Sequence, residues 1–267
     1  MKRVRVLTIS DMHQLRSLYD QIARAVDDHR PDVLCLIGDF LEALRCGPEH
    51  MSCSEAATRL AALSVEHIMV VRGNHEDANW LEFARAWPAS RQLIQLHGTA
   101  HTIGPLVVLG FPCHTGFDGY FRRTLTEDGN YMTFDLAASG RKRLPQRTGA
   151  WLDGLMERLG EPGRTLWLSH EPPMTEPIAR AELRNTEWAS AVAKYRPMFT
   201  VSGHDHSTPL RWGRWNGCLG TTYCVNTGQS RTALHYALLD FLFESDAPSR
   251  PIGVQTQAFG QDLEAGD

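Results

Sequence analysis

The sequence predicts an α/β protein in which two sheets pack face to face beneath outer helices, and three observations lead there. Strand-like apolar runs alternate with helix-like segments through the first third of the chain, the pattern of parallel strands joined by crossover helices. From Leu93 onward, short strands with brief connections take over. Five polar patches, Ser-Asp11-Met-His13, Gly-Asp39, Gly-Asn74-His75-Glu76, Ser-His170-Glu and Gly-His204-Asp-His206, each follow a strand-like run, and open α/β sheets collect ligands at strand ends.

The elements follow in order. Val4 to Ile9 reads as a strand, and Leu15, Leu18, Ile22, Ala25 and Val26 recur at helical spacing until Pro31, which cannot continue a helix. The run from Val33 to Ile37 is the next strand, Ser54 to Leu63 a helix, Ile68 to Val71 a strand, and Asp77 to Trp87 a helix ending before Pro88. Within that helix Trp80, Phe83 and Trp87 share one face and read as core. Thr99 to Ile103 and Leu106 to Leu109 flank Gly104-Pro105 as two strands. The stretch from Pro112 to Arg147, with His114, Asp118, Tyr120, Arg122 and Arg123, is polar and weakly periodic. It reads as a long substrate-facing loop, since such stretches in compact domains tend to be functional. A helix near Thr148 to Leu159 precedes strands at Thr165 to Leu168, Phe199 to Val201, Thr222 to Val225 and His235 to Phe243, the last paired with Gly253 to Ala258.

Composition sets outer bounds. A chain of 267 residues, 42% hydrophobic, can bury a sizeable core, and residues 1–260 are expected to form one domain with 261–267 as a loose tail. The net charge of −4 argues against a broad nucleic-acid surface while leaving a local basic pocket open; self-association into a homo-oligomer is equally open. No signal-like or membrane-length apolar run occurs, so a cytoplasmic protein that does not cross a membrane is expected. Its six cysteines contain no C-x-x-C pair and read as free thiols. Cys46-x-x-x-His50-x-x-Cys53 lacks a fourth zinc ligand and reads as a surface loop.

The polar patches carry chemistry. Asp11 and Asp39 offer charged oxygens, His13, His170, His204 and His206 imidazole nitrogens, and Asn74 an amide oxygen. Mixed nitrogen and oxygen donors without thiolate suit first-row transition metals, and these seven residues suffice for two ions. Residues one apart, as in Asp11-x-His13 and His204-x-His206, project to one side of an extended segment. Two cations ~3.5–4 Å apart need an anionic bridge and make a bridging hydroxide available for attack on phosphorus. Asp39 is the expected bridge. Lone histidines such as His97, His101 and His235 receive no role.

The ordered set Asp11-x-His13, Gly38-Asp39, Gly73-Asn74-His75-Glu76, His170, Gly203-His204-x-His206, with the later Val225-Asn226-Thr227-Gly228-Gln229-Ser230, resembles the calcineurin-like metallophosphoesterases from Val4 to Phe243. The resemblance implies a four-layer α/β/β/α sandwich of two mixed sheets flanked by helices. It also implies one metal held by Asp11, His13, Asp39 and His206 and a second by Asp39, Asn74, His170 and His204. The ions would be manganese, iron or zinc, with magnesium admissible. His75 falls where the family places a histidine that assists the leaving group, a role imidazole suits near neutral pH.

One departure bears on the substrate. Phosphoprotein phosphatases of this superfamily carry Gly-Asp-x-x-Asp-Arg, whereas this chain reads Gly38-Asp39-Phe40-Leu41-Glu42-Ala43. Glu42 keeps an acid able to orient His75, but the arginine that would clamp phosphate in a bidentate grip is absent. Arg72, Arg122 and Arg123 are candidate replacements, with His114 and Tyr120 as further substrate contacts. The expectation is a dinuclear phosphoesterase acting on small, nucleotide-like phosphate mono- or diesters. The alternatives are a nuclease of the same superfamily and a non-catalytic protein-interaction scaffold.

Overall fold

Strand β1 (Lys2–Ile9) is the spine on which the first sheet assembles. The computed structural model describes residues 2–43, 47–116, 119–136, 141–142, 145–160, 164–173, 178–180, 183, 185–244 and 253–259, with 141–142 and 253–259 as backbone. β2 (Val33–Ile37) and β3 (His67–Val71) run parallel to β1 in sequence order. Helices α1 (Arg16–His29) and α2 (Cys53–Ala61) make the crossovers. α3 (Glu76–Ala86) leads to the short parallel edge strand β4 (Ile94–Gln95). On the other side of β1 the chain returns as β15 (Tyr236–Phe243), antiparallel from Lys2↔Phe243 to Thr8↔Ala237, and β16 (Gly253–Phe259) pairs outside it. The sheet is therefore mixed, in the order β16-β15-β1-β2-β3-β4.

A second six-stranded sheet runs β13 (Asn216–Leu219), β14 (Thr222–Asn226), β12 (Phe199–Ser202), β11 (Thr165–Leu168), β6 (Leu106–Gly110), β5 (Thr99–Ile103). Its four inner strands are parallel and its two edges antiparallel. The apolar runs of the inner strands are continuous because both faces are covered. In β2, Val33, Cys35 and Ile37 face the second sheet, meeting Leu166, Leu168 and Val201, while Leu34 and Leu36 pack under α1 and α2. Trp167, Val107 and Leu109 point the other way, onto α4 (Gly149–Leu159) and α5 (Thr186–Tyr195). The result is the four-layer α/β/β/α arrangement expected from the resemblance. Phe83 is fully buried, and Trp80 and Trp87 pack on the same core.

The segment from Pro112 to Arg147 departs from the expectation of an unstructured loop. It forms an antiparallel sheet of β7 (His114–Thr115), β8 (Phe121–Leu125), β9 (Tyr131–Asp135) and β10 (Arg141–Lys142). Burial in it centres on Thr124, Leu125, Tyr131 and Met132, while Phe121, Arg122 and Arg123 stay half-buried, so no continuous apolar run announces it. A local signal did exist: Gly129, at φ 75°, follows Asp128 in the turn between β8 and β9, and Asp-Gly is a strong hairpin mark. α5 also has a sequence signature, Asn185 capping Trp188 N and buried Trp188, Ala191, Val192 and Tyr195 at helical spacing. Asp118, Cys46 and the tail from 261 lie outside the described residues.

Candidate metal centre

The parallel strands bring their C-terminal ends to one edge, where the two sheets are stitched together. Asp11 N donates to Gly38 O, His13 N to Asp39 O, and Gly203 N to His170 O. His204 N donates to both Asp11 carboxylate oxygens, at 3.1 and 3.0 Å, linking β12 to β1. The backbone turns sharply here. Asp11, His13, Asp39 and His204 have φ of 55°, 46°, 51° and 66°, the left-handed region that costs about 1–3 kcal/mol and clusters at functional sites. Arg30 and Arg196, also left-handed, merely end α1 and α5. Two glycines make room: a Cβ on Gly73 would lie 2.2 Å from Asp39 Oδ1, and one on Gly203 2.2 Å from Asp11 Oδ2.

Among the described residues three overlapping groups of potential ligand atoms result: Asp11, His13 and His206; His13, Asp39 and His75; and Asp39, His170 and His204. In the first, His206 Nε2 lies 3.1 Å from Asp11 Oδ1 and 3.5 Å from His13 Nε2. In the last, His170 Nε2 faces Asn74 Oδ1 at 3.0 Å, Asp39 Oδ2 at 3.1 Å and His204 Nδ1 at 3.2 Å. The Nδ1–H of His170 donates to Ile37 O at 3.2 Å, which turns Nε2 inward, the usual support of a metal-binding imidazole. Four atoms bearing lone pairs thus face one another across about 3 Å, and only a cation or a proton relieves that arrangement. The donor set fits a first-row transition metal in both outer groups, and the middle group joins them through His13 and Asp39.

Electrostatics say the same. Burial favours the neutral form of the Asp11 carboxyl, but His206 and His170 outweigh it and hold the group down to about 2. Asp39 is likewise held well below the carboxylate range, against burial, chiefly by His170. Burial pulls His170 down, yet Asp39, Asp11 and Glu76 together push it up to about 10. The Asp11 and Asp39 carboxylates thereby favour the charged form of His170. His204, buried and beside that charge, is pushed down to about 4.

His75 lies at the mouth of this cluster. Its Nδ1 is 2.6 Å from Glu42 Oε1, and its Nε2 is 3.8 Å from Asp39 Oδ2. Burial lowers its basicity, but Glu42 and Asp39 raise it more. Both His75 and Glu42 line a cavity of about 280 Å³ with Asp11, His13 and His206. A family model described as calcineurin-like phosphoesterase matches residues 4–208. The chain belongs to the calcineurin-like phosphoesterase family.

Members of this family use dinuclear metal centres, and the ligand groups above are the residues able to hold one. Solved structures share the fold. TT1561 of Thermus thermophilus is 18% identical over 96% of this chain and 99% of its own, with a TM-score of 0.57. A dimetal phosphatase from Danio rerio is 13% identical over 88% of this chain and 92% of its own, TM-score 0.53. GAP50, the anchor in the inner membrane complex of Plasmodium, is 8% identical over 98% of this chain and 86% of its own, TM-score 0.53. No curated protein matches the chain.

Around the centre lie braces that hold the ligand loops without being ligands themselves. Buried Glu76 accepts from the backbone N–H groups of Asp39 (2.8 Å), Leu41 (2.8 Å) and Gly73 (2.6 Å), tying two ligand loops together. Burial and Asp39 push its carboxyl up to about 7, against three donors that favour the ionised form. Asp205, between the two histidines, turns away to accept from Ser207 N, Thr208 N and Arg180 N. Asn226 donates to Ile178 O and Asp205 O, locking the turn after β14 against that loop.

The five residues put forward as substrate contacts do not line the cavity. Arg123 Nη1 binds Asp77 Oδ1 at 2.8 Å, and His114 Nε2 lies 3.4 Å from Asp77 Oδ2. Arg72 reaches the same carboxylate at 3.7 Å and His97 Nδ1 at 3.2 Å. Arg122, on the opposite face of β8, pairs with Glu187 on α5 at 3.0 Å, and Tyr120 is 63% exposed. The cavity wall instead includes Leu15, His50, Gln229, Ser230 and Arg231. His50, whose Nδ1 accepts from Gly47 N, belongs to this wall, and Cys53 is buried, its Sγ 3.5 Å from Gln14 Nε2.

Proposed function

We propose that this protein is a dinuclear metal-dependent phosphoesterase acting on small phosphate mono- or diesters. The observation that carries the reading is the chain of overlapping carboxylate and imidazole clusters joined through His13 and Asp39, with the His75–Glu42 pair lining the cavity beside them. In this reading Asp11, His13, Asp39 and His206 hold one ion, and Asp39, Asn74, His170 and His204 the other. Manganese, iron or zinc suit these donors, and magnesium is admissible. When bound, such ions acidify a water and draw charge from phosphoryl oxygens.

The chain's own residues do the rest. Glu42 accepts the Nδ1 proton of His75 and so aims Nε2–H at the cavity. From there His75 donates a proton to the leaving oxygen as the bond to phosphorus breaks, a step that favours an imidazole in this position. Glu76 keeps Asp39 and Gly73 in register throughout. Residues 1–260 act as one domain in this account, supported by a core that mixes side chains from Val4 to Phe243. The thiols Cys35, Cys53, Cys113, Cys218 and Cys224, in no disulfide among the described residues, support a cytoplasmic setting.

The test strips the protein of metal and reloads it with manganese, iron, zinc or magnesium. Metal stoichiometry is then measured alongside turnover of chromogenic mono- and diesters and of linear DNA. Two ions per chain with turnover of a small ester is the expected result. Cleavage of DNA alone would make it a nuclease, and two bound ions with no turnover a scaffold.

A further inference from the structure

We infer that Arg231 is the phosphate-gripping side chain of this enzyme, standing in for the arginine absent at Ala43, and that it selects phosphomonoesters over diesters. The inference rests on the phosphoesterase reading above. Among the described residues lining the cavity, Arg231 is the one arginine or lysine. It is exposed at the cavity wall and makes no hydrogen bond or ion pair among the described residues. The other candidate arginines are engaged: Arg72 and Arg123 share Asp77, and Arg122 holds Glu187.

The turn carrying Arg231 is held firmly. Gln229 Oε1 accepts from Ser230 N and His235 N, and its Nε2 donates to Ser10 O and His235 O. Ser230 Oγ accepts from Thr232 N and Ala233 N at 3.1 and 3.2 Å. Ser10 follows β1 directly, so the turn is anchored beside Asp11. A free guanidinium on a braced turn is placed to grip a phosphate, because its fork matches two phosphoryl oxygens.

Charge decides which ester benefits. Above its second pKa, about 6, a monoester carries one negative charge more than a diester. In the phosphoesterase reading the ions and His75 offset Asp11 and Glu42, which line the same cavity, and Arg231 is the one arginine or lysine there left to meet the additional charge. A diester has one fewer free oxygen to offer the fork and gains less from it.

The experiment compares wild type, Arg231→Gln and Arg231→Lys, each loaded with the same metal. It measures kcat and KM for an aryl phosphomonoester and the matching diester, inorganic phosphate affinity by calorimetry, and metal content. Arg231→Gln is expected to lower the monoester-to-diester ratio of kcat/KM about tenfold, mostly through monoester KM, and to weaken phosphate binding comparably. Arg231→Lys recovers part of both, and metal content stays unchanged. A ratio within threefold of wild type overturns the inference. If wild type turns over neither ester, the phosphoesterase reading fails on its own. Phosphate affinity then decides for Arg231: weakening by more than threefold in Arg231→Gln upholds it, and a smaller change overturns it.

Discussion

Two polar clusters sit side by side in this molecule, with the rings of His170 and His114 6.3 Å apart at their boundary. Around His170, Asp39 Oδ2, Asn74 Oδ1 and His204 Nδ1 all converge on one imidazole nitrogen. Around Asp77, one carboxylate takes Arg123, His114 and Arg72, and the guanidiniums stack on Phe121 and Trp80. The first cluster rests on left-handed backbone at Asp11, His13, Asp39 and His204; none of the second cluster's residues is left-handed. A site that receives an ion is left electrostatically incomplete and is held that way by strain, whereas a structural knot closes on itself.

The most severe way to break the contrast is Asp39→Ala. It is expected to lower metal content below two per chain and activity by at least ~10³-fold, since the shared carboxylate is lost; unchanged dinuclear occupancy would disprove the bridge. His75→Ala should cost roughly 10²–10³-fold in kcat with metal content near two. Loss of both metals in that variant would make His75 a ligand instead.

Asp77→Ala probes the other cluster. Three cationic or polar partners lose their acceptor, so urea unfolding at pH 7 should show a loss of about 2–3 kcal/mol with metal content intact. Depleted metal would mean the two clusters are one unit. The pH dependence sharpens this. Burial raises the Asp77 carboxyl, but His114 and Arg123 outweigh it and hold it down to about 2, from 3.8. A depressed folded-state value stabilises above the unfolded one and loses that contribution as pH falls toward 2. The stability gap between wild type and Asp77→Asn should therefore be steady from pH 7 to 5 and narrow below pH 4. A gap that widens on acidification reverses the sign and refutes the pairing. Glu42→Gln is the mildest change: it keeps an acceptor for His75 Nδ1 but not the charge, and should lower kcat by about threefold to tenfold.

Much of the first sheet was legible because its signals are local. Val33 to Ile37 is apolar throughout, Pro31 stops the preceding helix, and each ligand patch opens with glycine or serine after a strand. The hairpins between Pro112 and Arg147 carry no local mark of this kind because their strands mix charged and apolar residues, as in Phe121–Leu125. Arg122 and Arg123 are adjacent in sequence yet reach Glu187 and Asp77 on opposite faces of β8. No local pattern distinguishes them, whereas strand alternation does once the strand is known.

By itself the sequence determined the alternation of strands and helices, the family resemblance and the order of the ligand-bearing patches, because each depends on neighbours a few residues apart. Only the tertiary structure decided which charges are already spoken for. Arg123 meets Asp77 across 46 positions and Glu76 meets Asp39 across 37, and whether an arginine is tied or free depends on such distant partners. Arg231 stands open at the cavity because chain folding supplied counter-charges to Arg72, Arg122 and Arg123 and none among the described residues to it.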